Sequence, residues 1–396
     1  MSDKDPIVIA GMARTPLGDF QGGLSPSSAP ELGAVAIKAA LVRAGVPPED
    51  VDEVIMGCVL PAGLGQAPAR QAAIYAGVPV DVGALTINKM CGSGMKAAML
   101  GNDLIEVGTN DIVVAGGLES MSNAPYLMQK VRNGLRMGHG EIKDHMFLDG
   151  LEDVYDPGRL MGTFADETAQ AYQFSRDDQD AYAIESLNRA RKASEGGWFD
   201  DEIAPVTVET RKGVNTVTQD EHPFSVDPAN VPKLRPAFGK DGTVTAANSS
   251  SISDGAAAMV LMRESEAERR GITPLARILG HATNSHEPER FTTAPVGAIE
   301  RLLDKVGWQA DDADLYEVNE AFAVVTMVAM RDLGLSHDKV NVHGGACALG
   351  HPLGATGARI MVTLLGAMER EDAKRGIAGL CIGGGEATAI ALERLS

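Results

Sequence analysis

The sequence is short of four things, and each shortage closes a class of function. Four cysteines, at 58, 91, 347 and 381, in 396 residues make no disulfide framework. Aromatic residues reach only 4%, too few for a base-stacking or carbohydrate platform. Positive charge is in deficit: 35 Lys and Arg against 54 Asp and Glu leave a net charge of −19. That field repels nucleic acid and anionic membranes, so neither is expected as a partner. Long apolar runs are missing as well. The longest, Ala321 to Met330, is ten residues, too short to span a bilayer. Met1 to Pro6 is acidic and polar, so no signal peptide is expected. The expectation is a soluble protein of the reducing cytoplasm, where free thiols persist and can do chemistry.

Glycine is plentiful, with 45 in the chain, and hydrophobic residues make up 44%. That composition suits a compact α/β protein of two or three domain-sized units. Ile7 to Ala10 reads as a first buried strand. Pro30 and Glu31 open a helix that Gly45 ends. Val51 to Leu60 reads as a strand and Ala67 to Tyr75 as a short helix. A helix to Val107 and a strand from Asp111 to Ala115 follow. This alternation indicates parallel-sheet units. The C-terminal third repeats it. Strands are expected at Leu275 to Leu279, Asp314 to Val318, Gly376 to Cys381 and Thr388 to Leu392. Helices are expected at Pro295 to Val306, Glu320 to Leu333 and Ala358 to Glu369, the last after a Gly-rich turn at 344–357. Ala29 to Gly45 and Thr293 to Gly307 both read helix, Gly, acidic turn, strand, which points to an internal duplication.

The domain boundaries expected are 1–120 for the first half, 121–250 for an inserted loop domain, and 273–396 for the second half. Residues 251–272 return the chain to the core. Within the insertion, Ser175-Arg-Asp-Asp is a helix start with Gly196 as its stop, and Thr207 to Gln219 reads as a hairpin. An insertion of this length with its own elements is more often a lid or ligand grip than a passive loop.

Four stretches carry chemistry. Cys91 sits in T-I-N-K-M-C-G-S-G at a strand-to-helix turn. The amides and positive dipole end of a helix start there favour a thiolate. The bland alternative is a buried packing cysteine. Asn319-Glu320-Ala321-Phe322 lies at a second such turn, with a helix cap as its bland reading. Gly350-His351-Pro352-Leu353-Gly354-Ala355-Thr356-Gly357 and Cys381-Ile382-Gly383-Gly384-Gly385 complete the set. Each puts one reactive side chain at a strand end among small residues, where ligands collect in open α/β sheets. The set suits acyl transfer through a thioester: a thiolate attacks, an imidazole takes the proton, and backbone amides hold the oxyanion. Cys381 beside the site could move a proton at a carbon acid. His343, Cys347 and His351 have i, i+4, i+8 spacing, but Gly344, Gly345 and Pro352 break the helix a metal site would need, so no metal is expected.

These motifs, in this order, resemble the thiolases. So do K-L-R-P-A-F at 233–238 and T-V-T-A-A-N-S-S at 243–250. The resemblance covers essentially the whole chain. It implies two related halves in a five-layered α/β/α/β/α core, with the loop domain gripping coenzyme A, usually in a homotetramer, otherwise a dimer. It implies Cys91 as the acylated nucleophile, His351 as its activator, and Cys381 as acid/base for the second substrate's α-carbon. His351 with a water held by Asn319 would form one oxyanion hole, and the amides of Cys91 and Gly383 the other. Leu151, Met161, Ala246, Ser250, Ala321 and Phe322 match positions lining the pantetheine channel. The implied reaction joins two acetyl-CoA into acetoacetyl-CoA, or cleaves acetoacetyl-CoA or another 3-ketoacyl-CoA with CoA. Coenzyme A is then substrate and product, with no permanently bound cofactor. The runner-up is a thiolase of longer chains. Rivals are a decarboxylating ketosynthase, a non-catalytic acyl-CoA carrier and a zinc protein. Three positions depart from the pattern: Leu160 stands where many short-chain members carry histidine, Pro223 where some carry an arginine near the nucleotide, and His343 where an asparagine is common.

Overall fold

The computed structural model describes residues 5–211 and 213–395. The first half is built from β1 (Ile7–Arg14), α1 (Ala29–Ala44), β2 (Glu53–Gly57), α2 (Pro68–Tyr75), β3 (Gly83–Ile87), α3 (Ser93–Glu106) and β4 (Ile112–Ser120). The insertion contributes α4 (Met161–Tyr172), α5 (Arg176–Glu195) and the hairpin β5 (Val206–Thr210) and β6 (Gly213–Val217). The chain then adds β7 (Ser253–Arg263) to the first half. The second half comprises β8 (Ala276–Ser285), α6 (Ala294–Val306), β9 (Leu315–Val318), α7 (Ala323–Leu333), α8 (Leu353–Arg370), β10 (Arg375–Ile382) and β11 (Glu386–Arg394).

Local chemistry explains several boundaries. Ser28 caps α1 in a reciprocal capping box with Glu31, and Gly45 ends it in the left-handed region at φ 65°. Ser175 and Asp178 make the same box at α5, as the sequence signal predicts.

The sheet runs β9-β10-β11-β8-β1-β7-β4-β2-β3, with the short strand Gly18–Asp19 pairing onto β7. Its two parts repeat one pattern. In each, a parallel pair (β2 with β4, β9 with β10) leads through an antiparallel partner (β7, β11) to a bulged strand (β1, β8). The bulges match too, at Ile9/Gly11 and Ile278/Gly280. The counterpart of β3 shrinks to one parallel bridge, Tyr316 with Val340. The halves meet edge to edge where Val8 and Ile9 pair with Arg277 and Ala276.

Three apolar clusters separate five layers. One packs α1 and α2 on the first part of the sheet, and one packs α6 and the end of α7 on the second. The third, between them, joins Met95, Ala98 and Met99 of α3 to Ile360, Met361 and Leu364 of α8. This is the α/β/α/β/α arrangement.

Three sequence expectations need correction. The stretch 344–357 is not one Gly-rich turn: a helical turn occupies Ala346–Leu349 and α8 begins at Leu353, so Gly354 and Gly357 lie inside it. They are glycines for proximity. A Cβ on Gly357 would lie 2.3 Å from the Met95 nitrogen, and one on Gly354 2.8 Å from the Cys58 Cα. Second, residues 251–272, expected only to return the chain to the core, contain the central strand β7. The α8 layer approaches the sheet so closely there that a Cβ on Gly117, the β4 partner of Ala257, would sit 2.0 Å from the Gly354 carbonyl oxygen. Side-chain volume is excluded, and with it the β-branched signature that marks a strand. The helix expected from Glu320 also starts later, at Ala323, leaving 319–322 as an extended turn.

Candidate active site

The carboxyl ends of the parallel strands β3, β9 and β10 each release one of the sequence-predicted segments. Cys91 follows β3, in a tight turn where Met90 takes the left-handed φ of 45° and Gly92 caps α3. The absence of a side chain at Gly92 lets this turn lie on the next segment, for a Cβ there would sit 2.4 Å from Ile382. Gly94 does the same against α8, where a Cβ would meet the Ala358 nitrogen at 2.7 Å. The starts of α3 and α8 therefore converge, and both positive dipole ends face the same place.

Cys91 is the one cysteine of four that keeps partial exposure. The backbone N–H groups of Gly383 and of Cys91 itself are directed at its sulfur. Burial nonetheless outweighs them and, with a smaller push from the Glu119 charge, raises the thiol to about 11. The sequence expectation of a favoured thiolate is thus corrected: the dipole and amides are present, but desolvation wins. Cys381, at the end of β10, is fully buried and packs in the cluster that holds Phe164, Ala321 and Phe322. Burial and the nearby Cys91 charge push its thiol well above the ordinary range.

His351 is buried, and burial with the positive field of Arg359 lowers its imidazole to about 3. Its Nδ1 lies 2.6 Å from the Thr356 hydroxyl, while Nε2 has no partner among the described residues. Asn319 is buried with both side-chain amide atoms unpaired. It does not cap α7, whose cap position is Phe322, so the bland reading of this residue fails. Asn319 is instead held by its backbone, donating to the Gly379 carbonyl.

A thiolate–imidazolium pair is not the resting form of such a site, because burial drives both groups toward neutrality. Alkylation of Cys91 by iodoacetamide is therefore expected to speed up with pH, roughly tenfold per unit from pH 6 to 10. The sign follows from a raised thiol value: thiolate is scarce at neutral pH and grows as pH climbs toward about 11. A plateau reached below pH 8 in a mass-spectrometric rate series would contradict it.

A cavity of about 650 Å³ opens nearby, walled by residues next to Asn319 and His351 in space or sequence rather than by Cys91, His351, Cys381 or Asn319 themselves. All six predicted channel residues, Leu151, Met161, Ala246, Ser250, Ala321 and Phe322, line it, together with Leu160, Phe238 and Ile252. The Met161 sulfur lies 3.7 Å from where a Gly383 side chain would begin, which ties the cavity wall to the Cys91–Gly383 turn. Phe147, Leu151 and Ile252 pack on the same apolar cluster as Cys91. Ser251 accepts the His351 N–H through its carbonyl, at 3.2 Å. At the mouth stand Asp19, Phe20, His222 and Ser225, with Asp19 and His222 paired at 2.7 Å. Pro223 has its carbonyl engaged by Arg191.

Two buried carboxylates have roles that sequence reasoning did not assign. Glu119 accepts the N–H groups of Val59, Leu60 and Gly354 at 2.9, 3.1 and 2.8 Å, joining the loop after β2 to the first turn of α8. Burial pushes this carboxyl up to about 7. Glu320 accepts from Tyr182 and Asn341 on one oxygen and from Ser186 and the Cys347 amide on the other. It ties α5 of the insertion to the turn carrying Asn319. Only a glutamate at a strand end among small residues signals either. The remaining histidine of the metal spacing, His343, packs against Trp198 and Phe199. Among the described residues no three of His, Cys, Asp and Glu gather as a metal-holding group.

Comparison with known proteins agrees along the full chain. Residues 7–265 match the family described as thiolase, N-terminal domain, and residues 272–394 that described as thiolase, C-terminal domain. A Cupriavidus necator protein named acetyl-CoA acetyltransferase is 50% identical over 391 residues, 98% of this chain and 99% of its own. Acetyl-CoA acetyltransferase 2 of Arabidopsis thaliana is 50% identical over 393 residues, 98% of this chain and 97% of its own. The structure of the Bacillus anthracis acetyl-CoA acetyltransferase superposes with a TM-score of 0.96 at 41% identity, covering 99% of both chains. The Acat5 thiolase of Ascaris suum, solved in complex with coenzyme A, gives 0.93 at 42% identity, covering 98% of this chain and 100% of that one.

Proposed function

The chain belongs to the thiolase family, and from that premise we propose that it is an acetyl-CoA C-acetyltransferase. It joins two acetyl-CoA into acetoacetyl-CoA and runs the reverse thiolysis. The observation that carries the reading is a thiol with two backbone N–H groups aimed at its sulfur and a second buried thiol beside it. The full-length match to relatives of that name supports the substrate.

In the first half-reaction the Nε2 of His351 accepts the Cys91 proton as the sulfur attacks the acetyl carbonyl. The CoA thiolate leaves with that proton, and acetyl stays on Cys91. In the second, Cys381 passes its proton to the freed Nε2 of His351 and, as thiolate, takes a proton from the methyl of another acetyl-CoA. The carbanion attacks the acetyl-cysteine, whose oxyanion the Cys91 and Gly383 amides stabilise, one such donor being typically worth ~3–4 kcal/mol. Cys91 leaves as thiolate and recovers its proton from His351, which returns both thiols and the imidazole to their starting states. Asn319 and His351 hold the thioester oxygen of the carbanion. The cavity residues Leu151, Met161, Ala246, Ser250, Ala321 and Phe322 take the pantetheine arm.

A homotetramer or dimer in the cytoplasm fits two features. Strand β3 is an unpaired edge beside Cys91, with Leu85 and the neighbouring Tyr75 exposed. The hairpin of strands at 126–128 and 142–144 exposes Tyr126, Met128 and Ile142. No helix among the described residues is long and apolar enough to cross a membrane.

A second reading, cleavage of longer 3-ketoacyl-CoA, is favoured by one observation: Leu160 adds an apolar side chain to the cavity wall. Steady-state thiolysis across a chain-length series separates the two. Acetoacetyl-CoA is expected to give the highest kcat/KM. A maximum at eight or more carbons would establish the second reading, and no thiolysis of any chain would leave the fold as a non-catalytic carrier.

A further inference from the structure

We propose that Thr356 is the positioning residue that fixes the tautomer of His351, holding the proton on Nδ1 and leaving the Nε2 lone pair for the Cys91 thiol. The inference deepens the acyl-transfer reading and rests on it. It begins with a count of protons. The Thr356 hydroxyl lies 2.6 Å from His351 Nδ1 and 2.9 Å from the Pro352 carbonyl oxygen. A hydroxyl carries one proton, and a carbonyl can only accept. The 2.9 Å contact is the usual bond of a helical threonine to the carbonyl four residues back. It uses that single proton. What the hydroxyl then presents to the imidazole is a lone pair, so the hydrogen in the 2.6 Å contact comes from Nδ1. The reverse arrangement would set the hydroxyl and carbonyl lone pairs against each other at 2.9 Å.

Burial makes the assignment rigid. Thr356 is fully buried and His351 is 5% exposed, and among the described residues neither has another side-chain partner to exchange with. The β-branched side chain is itself restricted in a helix. Thr356 lies in the first turn of α8 and His351 just before its cap residue Pro352. The surroundings also explain why a hydroxyl serves here rather than a carboxylate. Arg359 lies close enough for its charge to oppose a second positive charge on the imidazole. With no carboxylate on Nδ1, the imidazole stays neutral at rest, and its orientation is set by a neutral acceptor. Nε2 is the ring atom without a partner among the described residues.

The tests follow from replacing the hydroxyl by a methyl of the same shape. In Thr356→Val the Nδ1–H loses its acceptor inside a dry pocket, so the proton shifts to Nε2, which can no longer accept from Cys91. Acetylation of Cys91 is expected to slow on the order of 10²-fold or more through kcat, with KM for acetyl-CoA little changed. Thr356→Ser is expected to restore most of the loss. The 15N chemical shifts of His351 at neutral pH are expected to show a protonated Nδ1 in the unaltered protein and a protonated Nε2 in Thr356→Val. The measurement on the unaltered protein needs no variant to fold. A protonated Nε2 there, or wild-type kcat in Thr356→Val, would overturn the inference. An unaltered protein that forms no acetyl-enzyme while showing the Nδ1 proton would overturn the acyl-transfer reading and leave the tautomer assignment standing.

Discussion

Cys91→Ala is expected to remove acyl-enzyme formation entirely and to lower kcat/KM for thiolysis on the order of 10⁴-fold or more. No neighbour can take over. Cys381 is the nearest other thiol, but it is fully buried and its proton is held far more tightly than in water. Cys58 lies beside the Glu119 carboxylate, which opposes a second negative charge, and Cys347 donates to the Glu320 carbonyl. The two amides aimed at the Cys91 sulfur would then face a methyl group and stabilise nothing. Folding should survive, since the side chain is small and partly exposed. Intact mass after incubation with acetyl-CoA checks the result: the unaltered enzyme gains one acetyl group and Cys91→Ala gains none. A gain on Cys381 in the variant would show that the nucleophile is misassigned.

Much of this was legible in the chain because the site is made of turns, and turns have strong local signatures. Each turn that supplies a reactive group is marked by glycine or small residues next to one polar side chain, as at the strand-to-helix turn Cys91-Gly92 and the strand-to-strand turn Cys381-Ile382-Gly383. The duplication was legible through α1 and α6, whose glycine stops and acidic turns repeat. Strand β7 was hidden because tight layer packing strips it of the residue types that announce strands. The start of α8 was hidden for the same reason, its glycines reading as flexibility when they serve contact. The charge state of Cys91 was beyond local reasoning. A helix start argues for thiolate, and only the three-dimensional burial of that start reverses the sign. The roles of Glu119 and Glu320 were missed because they lie in which distant amides each collects. Glu119 gathers Val59 and Gly354, nearly 300 residues apart in the chain.

Cys381→Ala separates the two halves of the reaction. Acetyl transfer to Cys91 needs the thiol, the His351 imidazole and the oxyanion donors, none of which this substitution removes. Carbon–carbon bond formation also needs a base at the second acetyl-CoA methyl, and Cys381 is the group placed for it. The variant is therefore expected to release about one equivalent of CoA per site in a burst and then stop. Acetoacetyl-CoA synthesis should fall by about 10²- to 10⁴-fold, the usual worth of a positioned acid or base. Thiolysis should fall with it, because the same thiol must return a proton to the departing carbanion. Packing does not mimic this pattern. Removing one buried sulfur leaves a small void costing about 1–2 kcal/mol, which lowers the melting midpoint without distinguishing the half-reactions. Condensation at the unaltered rate would show that another group removes the α-proton. Loss of the burst together with condensation would place Cys381 in support of Cys91 rather than at the carbon acid. The persistence of a stalled, acetylated Cys91 is what a division of labour between the two sulfurs requires.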